Sequence, residues 1–303
     1  MTTKIKPFLK WVGGKTQIID KLMIEFPKEI NNYHEVFLGG GSVLLALLSA
    51  IKNGKIKLKG QIFVSDVNEP LIYVYKNIQN NYEELFIILK EIIDDYNNSG
   101  DSEIVNRKPL NIQEAKLNKE NYYYWIRSLY NNLSIEEKKS IYSSALFIFL
   151  NKTCFRGLFR TGSNGFNVPY GNYKNPEIIN KNHLEEIHNL IKDVIFNSYD
   201  FELALINVQD DDFIYFDPPY APETTTSFVG YTDKGFLLNK HMKLFEMINY
   251  LNKRKIKFIL SNADVTLVKD NFKDYKIISI ECKRSINAKK PNAKTNELLI
   301  KNF

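Results

Sequence analysis

At 303 residues, with 44% hydrophobic and 25% charged side chains, the chain has the composition of one large or two ordinary globular domains, not of a disordered or fibrous protein. Its longest apolar run, ALFIFL at 145–150, is far too short for a membrane helix, and the N-terminal MTTKIKPFLKW lacks a signal-peptide core, so a cytoplasmic protein with no membrane partner is expected. Two cysteines, Cys154 and Cys282, cannot build a disulfide framework, and a net charge of +6 permits a polyanionic partner without demanding one.

The stretch FLKWVGGK (8–15) sets Trp11, two glycines and Lys15 ahead of any strong strand. It reads either as a lead-in whose tryptophan fills a core gap or as a glycine turn presenting Lys15 to an anionic group. YHEVF (33–37) is a short strand, LGGGS (38–42) a turn, and VLLALLSAIKNG (43–54) an apolar helix stopped by Gly54. QIFVSD (61–66) is the next strand and ends on Asp66. Strand, glycine turn, helix, strand and acid form the skeleton of a mononucleotide-binding half. Glycines there let a ligand approach the backbone, and Ser42 is placed to cap the following helix. The dinucleotide pattern is incomplete, because Leu44 occupies the third glycine position. A purely structural turn therefore stays open for the glycines, as does a helix cap or turn role for Asp66.

From Pro70 the character changes. LIYVYKNIQNNYEELFIILKEIIDDY (71–96) has helical periodicity, 97–118 is polar and reads as a loop, and NYYYWIRSLYNNL (121–133) is amphipathic. Ser134 and Glu137 form a capping box expected to open a helix over 135–152. TCFRGLFRTGSNGFNVPYGNYKNP (153–176) reads as a hairpin with exposed turns. Strands return at 194–198, 213–216, 257–261, 275–282 and 297–303, with a clear helix at 239–255. The last two strands have no helix between them and are expected to pair antiparallel. The expected fold is α/β: a mainly parallel sheet from 1–70 and 190–303, interrupted by a largely helical insert over 71–189.

The sharpest signal is FDPPY (216–220). By average residue frequencies, a chance D-P-P-Y in a chain of this length has a probability on the order of one in a thousand. A carboxylate at a strand tip followed by two prolines is held on a stiff turn, since neither proline can extend a ladder. Its chemistry is coherent. An exocyclic amine of adenine is a poor nucleophile, its lone pair being delocalised into the ring. The Asp217 carboxylate and the Pro218 carbonyl accept hydrogen bonds only, so together they can take both N–H groups and leave the lone pair aimed at an electrophile. Pro219 would rigidify the turn and Tyr220 would stack on the base, with Phe216 or Tyr231 as further stacking candidates.

Other chemistries lack their signatures. There is no Pro-Cys nucleophile for cytosine C6 and no G-x-x-x-x-G-K-[ST] phosphate loop. HLEEIH (183–188) spaces its histidines five apart, not the four of a helical zinc site, so no metal is expected.

FLKWVGGK, FLGGGS, SDVNEPL, FNVPYGNYKNP and FDPPY occur in that order, and in this combination the chain resembles the Dam-type (D12 class, α-group) DNA adenine-N6 methyltransferases over nearly its whole length. The resemblance implies a Rossmann-like methyltransferase sheet using S-adenosyl-L-methionine (AdoMet), with a target-recognition domain inserted before the DPPY. It implies cofactor contacts from Trp11 and Lys15, from the turn bearing Phe37, Gly39, Gly41 and Ser42, and from Asp66 on the ribose. Asp200 and Phe201 would line the cofactor adenine, and Asp217 would touch both the cofactor amino end and the target amine. Double-stranded DNA is the implied partner, with the adenine flipped out of the duplex. In the 151–173 segment Lys152, Arg156 and Arg160 suit phosphate or guanine contacts and Phe155 suits a wedge between bases, a solvated basic hairpin being the plainer alternative. Arg156 stands where GATC-modifying members generally carry Asn, so a related palindrome such as CATG fits as well as GATC. The loop at 282–297 resembles a further phosphate-contacting segment. A monomer or weak dimer is expected, with a cognate restriction endonuclease as a further partner. Two rival readings remain at this level: a cytosine-N4 methyltransferase, and a catalytically silent DNA-binding protein on the same fold. RNA is a third, lesser option as substrate.

Overall fold

The computed structural model describes residues 5–222, 236–283 and 294–303. Tyr231 and most of the 282–297 loop lie outside those residues. The chain divides into two compact units. The first combines Gly13–Val67 with Asp193–Phe303 and the chain up to Lys6; the second combines Pro7–Val12 with Asn68–Lys192. Assignment of Pro7–Val12 to the second unit departs from the sequence-based expectation, which kept residues 1–70 together. The reason is packing: Phe8 meets Tyr75 edge-on at 5.2 Å and Trp11 stacks on Phe159 at 6.0 Å.

The first unit holds a seven-stranded sheet. Its strands are β1 (Tyr33–Glu35), β2 (Ile62–Ser65), β3 (Val194–Asn197), β4 (Phe213–Phe216), β5 (Lys257–Ala263), β6 (Lys276–Lys283) and β7 (Lys294–Lys301). They lie in the spatial order β6-β7-β5-β4-β1-β2-β3. The five strands β5, β4, β1, β2 and β3 run parallel, whereas β7 is antiparallel to both β5 and β6, between which it sits. From β1 the chain moves outward through β2 and β3, then returns to β4 on the other side of β1. Strands β1 and β4 thus flank the point where strand order reverses, and beyond such paired strand ends open α/β sheets bind ligands.

Every residue of β4 is buried, as an apolar run covered on both faces should be. Ile214 and Phe216 share a core with Phe258 and Leu260 of β5 and with Phe245 and Ile248 of the Leu238–Lys253 helix. Each such fully buried side chain contributes roughly 1.5–3 kcal/mol. At the opposite end, Asp212 ties the start of β4 to that of β1. It is 0% exposed; one oxygen accepts from the Asn32 amide at 2.8 Å, and the other bonds His34 Nε2 at 2.8 Å and the Gln209 N–H at 2.9 Å. That network fixes the register in which Tyr33 faces Phe213 and Glu35 faces Tyr215.

The second unit is largely helical, with helices Glu69–Asn97, Ile112–Ala115, Lys119–Asn132, Ile141–Thr153 and Lys181–Leu190. The first begins where Asn68 accepts from the Leu71 N–H with Pro70 in the opening turn, and is interrupted at Asn81 (φ −144°). The polar 97–118 stretch contains the short Ile112–Ala115 helix. Ser134 and Glu137 do exchange hydrogen bonds, at 2.8 and 3.2 Å, yet they open only the 3-10 turn Glu137–Lys139. The long helix expected from 135 starts at Ile141 instead, because Ser140 adopts extended backbone and caps it by accepting from the Ser143 N–H. In the 153–176 segment the antiparallel pairing is brief, Thr161–Gly162 against Gly165–Phe166, with one further bridge between Cys154 and Tyr170. No helix among the described residues is long and apolar enough to cross a membrane.

Candidate active site

The glycine turn leaves β1 through Val36, Phe37 and Leu38, and the Leu38 N–H reaches back to the Ser65 carbonyl at 3.0 Å. Gly39 (φ 50°) and Gly41 (φ 69°) both occupy the left-handed region, which costs other residues about 1–2 kcal/mol each. Here glycine is required by the turn itself. Gly41, not Ser42, is the N-cap of the Ser42–Lys52 helix, so the expectation that Ser42 caps it is corrected. The Ser42 hydroxyl is used elsewhere: its Oγ accepts from the Lys15 N–H at 3.0 Å and so pins Lys15 beside the turn. Asp66, just past β2, accepts from the Gly39 N–H at 2.9 Å. It braces the turn.

Asp217 emerges from β4 next to this turn. Its carboxylate lies 2.6 Å from Lys15 Nζ, and Lys15 is only 2% exposed. Lys15 Nζ also donates to the Gly13 carbonyl at 2.8 Å, passes 4.9 Å from the Tyr220 ring centre, and stands 3.7 Å from Glu297 Oε1 on β7. Burial pushes the Asp217 carboxyl up to about 6, Lys15 pulling it down and Glu297 raising it. Pro218 is buried behind it. Asn262, at the end of β5, accepts from the N–H groups of Ala221 at 3.0 Å and Ala263 at 2.9 Å, which ties the turn to the neighbouring strand. Tyr220 is 36% exposed, and its phenol is held well above its ordinary value by burial and then by the charges of Asp217 and Glu297. Beneath the turn, Glu35 is fully buried and accepts from the Tyr33 hydroxyl at 2.8 Å. Burial raises its carboxyl to about 8 against the opposing Tyr33 bond, with Asp217 adding to the rise, so at neutral pH it is mostly protonated.

The other sequence candidates are distributed less simply. Phe37 stacks on Phe201 at 6.0 Å, and Phe201 is buried in the core. Asp200 caps the Phe201–Ala204 turn by accepting from the Leu203 N–H at 3.0 Å. Trp11 belongs to the second unit, where its ring stacks on Phe159 at 6.0 Å. In that unit Phe155 is 45% exposed and Arg156 (φ 57°) holds its guanidinium 5.1 Å from the Phe155 ring. The Arg156 N–H donates to the Tyr173 hydroxyl at 2.9 Å, and Arg160 donates to Asn167 Oδ1 at 2.6 Å. Lys152 is half-buried, and burial, then the charge of Lys10, lowers its pKa. His188 bonds the Ile78 carbonyl and packs against Tyr82, and among the described residues no three His, Cys, Asp or Glu side chains converge as a metal site.

Three groups of this corner are not apparent from the sequence: Glu35, Asn262 and Glu297. The available signal is a lone acid inside an apolar strand, in YHEVF and in NELLI. Together the corner offers a glycine turn braced by the Asp66 carboxylate, and two further carboxylates, Asp217 and Glu297, beside one buried lysine. That donor set fits a ligand bearing a diol and cationic groups, as the AdoMet ribose, ammonium and sulfonium are.

Comparison with known proteins agrees with this chemistry. A sequence model of the D12 class N6 adenine-specific DNA methyltransferases matches residues 11–286. The chain is 37% identical over 312 residues to the Type II methyltransferase M.MjaIII of Methanocaldococcus jannaschii, covering 99% of this chain and 100% of the relative. It is 30% identical to the Type II methyltransferase M1.LlaDCHI of Lactococcus lactis subsp. cremoris, over 99% of this chain and 96% of that one. Identity to a DNA adenine methylase of Haemophilus influenzae is also 30%, over 94% and 88% of the two chains. With the match running through the glycine turn, the helical unit and the DPPY corner alike, the chain belongs to the D12 class N6 adenine-specific DNA methyltransferases.

Proposed function

We propose that the chain methylates adenine N6 at a short palindrome of about four bases, of the GATC or CATG type, taking the methyl group from AdoMet. The observation that carries the reading is the Asp217 carboxylate at the strand-order reversal, beside the Gly39–Gly41 turn and 2.6 Å from Lys15 Nζ. When bound, the cofactor supplies an electrophilic methyl on a sulfonium. The chain's own residues do the rest. Asp66 and the turn from Phe37 to Ser42 hold the ribose and amino-acid end, with Asp200 and Phe201 towards the cofactor adenine. Asp217 and the Pro218 carbonyl accept the two N–H groups of the target amine, so its lone pair faces the methyl. Tyr220 stacks on the base, which must leave the duplex to arrive there. Phe155, Arg156, Arg160 and Lys152 face the DNA. We take the protein to act as a monomer or weak dimer in the cytoplasm, alongside a cognate endonuclease.

Expression in a methylation-free strain, followed by single-molecule sequencing, tests this directly. N6-methyladenine at one palindrome is expected; N4-methylcytosine, or unmodified DNA from a protein that binds AdoMet, would overturn it.

Acceptance of the amine protons needs the Asp217 carboxylate ionised. The single-turnover rate should therefore fall on acidification through pH about 6. Lys15→Met removes the charge that lowers that value, so the acid limb should move to higher pH; a limb that stays in place contradicts the assignment. Arg160→Ala should reduce the dependence of log K on log salt by roughly 0.9 for each phosphate that Arg160 neutralises. Arg156→Ala should change which sites are modified, read by the same sequencing; unchanged site choice and unchanged salt slope in both variants would remove these residues from the DNA interface.

A further inference from the structure

Lys15 Nζ has three N–H donors. The Gly13 carbonyl and Asp217 Oδ1 take two of them at 2.8 and 2.6 Å. A further acceptor nearby is Glu297 Oε1, at 3.7 Å, too far for a good hydrogen bond. Glu297 Oε1 is itself buried and makes no hydrogen bond. A buried donor and a buried acceptor thus face each other across a gap about one ångström too wide. Burial of an unpaired carboxylate oxygen is costly, so such a gap calls for an explanation. A second tension sits at the same place. The Lys15 ammonium sits on Asp217 Oδ1 and lies 4.9 Å from the Tyr220 ring centre, where a target base would contact both residues.

One movement relieves both. We propose that Glu297 is a positioning residue, the second anchor to which Lys15 shifts when Asp217 turns to the target amine. The proposal rests on the reading of Asp217 as the acceptor of that amine. In the unliganded arrangement Lys15 neutralises Asp217. As the base enters, the ammonium closes on Glu297 while keeping its Gly13 bond, a displacement of about 1 Å from the 3.7 Å contact to charge-assisted hydrogen-bond distance. Lys15 stays buried and paired throughout, since at 2% exposure it has no water to turn to. Its backbone does not move, because Ser42 Oγ holds the Lys15 N–H at 3.0 Å. Asp217 then presents a full carboxylate to the amine instead of one shared with a lysine. No covalent step is added; the shift is an exchange of partners within one ion cluster.

Glu297→Gln keeps the shape of the side chain and removes its charge. Handover predicts that Lys15 stays on Asp217, so the plateau kcat falls on the order of 10- to 100-fold with KM for DNA nearly unchanged. A mere field effect of Glu297 on Asp217 would do something else: it would move the acid limb to lower pH and leave the plateau alone. Adding Lys15→Met should restore part of the loss, making Lys15→Met/Glu297→Gln faster than Glu297→Gln. In a crystal structure of the wild-type protein with target duplex and S-adenosylhomocysteine, Lys15 Nζ should lie roughly 3 Å from Glu297 and no longer on Asp217. A wild-type plateau in Glu297→Gln, additive losses in the double variant, or a retained Lys15–Asp217 contact with the base in place each overturn the handover. If the wild-type protein fails to methylate adenine, the underlying reading falls first and this one with it. Adenine methylation with an unaffected Glu297→Gln plateau removes the handover alone.

Discussion

Asp217→Asn should slow methyl transfer roughly 100- to 1,000-fold, the size of effect seen when one preorganised polar contact to a reacting group is deleted. The variant keeps the outline of the side chain, and Asn262 still holds the turn through the Ala221 N–H at 3.0 Å. What it loses is charge. An amide oxygen accepts one amine proton more weakly than a carboxylate, and the amide NH2 can face the amine only as a competing donor. The target nitrogen is then no longer stripped of its delocalisation by two pure acceptors. AdoMet affinity should fall far less, because Asp66 and the glycine turn are untouched. Single-turnover methylation of a duplex substrate gives the first quantity and titration calorimetry the second. Near-normal turnover in Asp217→Asn would refute the acceptor mechanism; equal loss of turnover and cofactor affinity would recast Asp217 as a binding group.

The second large effect lies at the other end of the same two strands. Asp212→Ala should cost about 3–5 kcal/mol, the range found when one partner of a buried charged network is removed. Its carboxylate serves His34, Asn32, Asn31 and the Gln209 N–H, and alanine would take that acceptor from all four, the buried His34 among them. Tryptophan fluorescence would report the wrong unit, since Trp11 and Trp125 both lie in the second. Amide exchange at β1 and β4 is the suitable measurement, and protection there should drop by two orders of magnitude or more, by roughly 1.4 kcal/mol per tenfold. Burial raises the Asp212 carboxyl, but the His34 and Gln209 bonds outweigh it and leave the group below its ordinary 3.8. A depressed carboxyl stabilises the fold above its unfolded value and ceases to do so as pH falls through the folded one. The gap between wild type and Asp212→Ala should therefore be full at neutral pH and shrink below pH about 4. A gap independent of pH would mean that the missing interaction is packing, not charge.

The contrast between these two acids explains what can be read from the chain directly. Asp217 is legible because prolines follow it, and prolines speak to backbone geometry without any knowledge of the partner. Gly39 and Gly41 are legible for the same reason. Asp212, Glu35 and Glu297 sit in or beside apolar strands, where local pattern alone suggests solvent-facing alternation. Their meaning depends on groups far away in sequence: His34 for Asp212, Lys15 for Glu297. Helix starts show a related limit. Ser134 with Glu137 satisfies every local rule for opening a helix, yet Ser140 offers a second cap and the helix takes it. Ser42 fails as a cap because Gly41 adopts the left-handed conformation first, which frees the hydroxyl for Lys15. Trp11 lies within a motif resembling a cofactor segment, and only packing against Phe159 shows which unit it joins.

The placement of β7 between β5 and β6 has a consequence for biosynthesis. The strand that completes this sheet follows β5 and β6 in the chain, and it carries Glu297. On a nascent chain, β5 and β6 are both exposed along the edges that β7 will later cover, and the ion cluster around Lys15 lacks one of its members. A polypeptide interrupted before Lys294 would present two bare sheet edges, so premature termination should yield aggregation rather than a partly active enzyme.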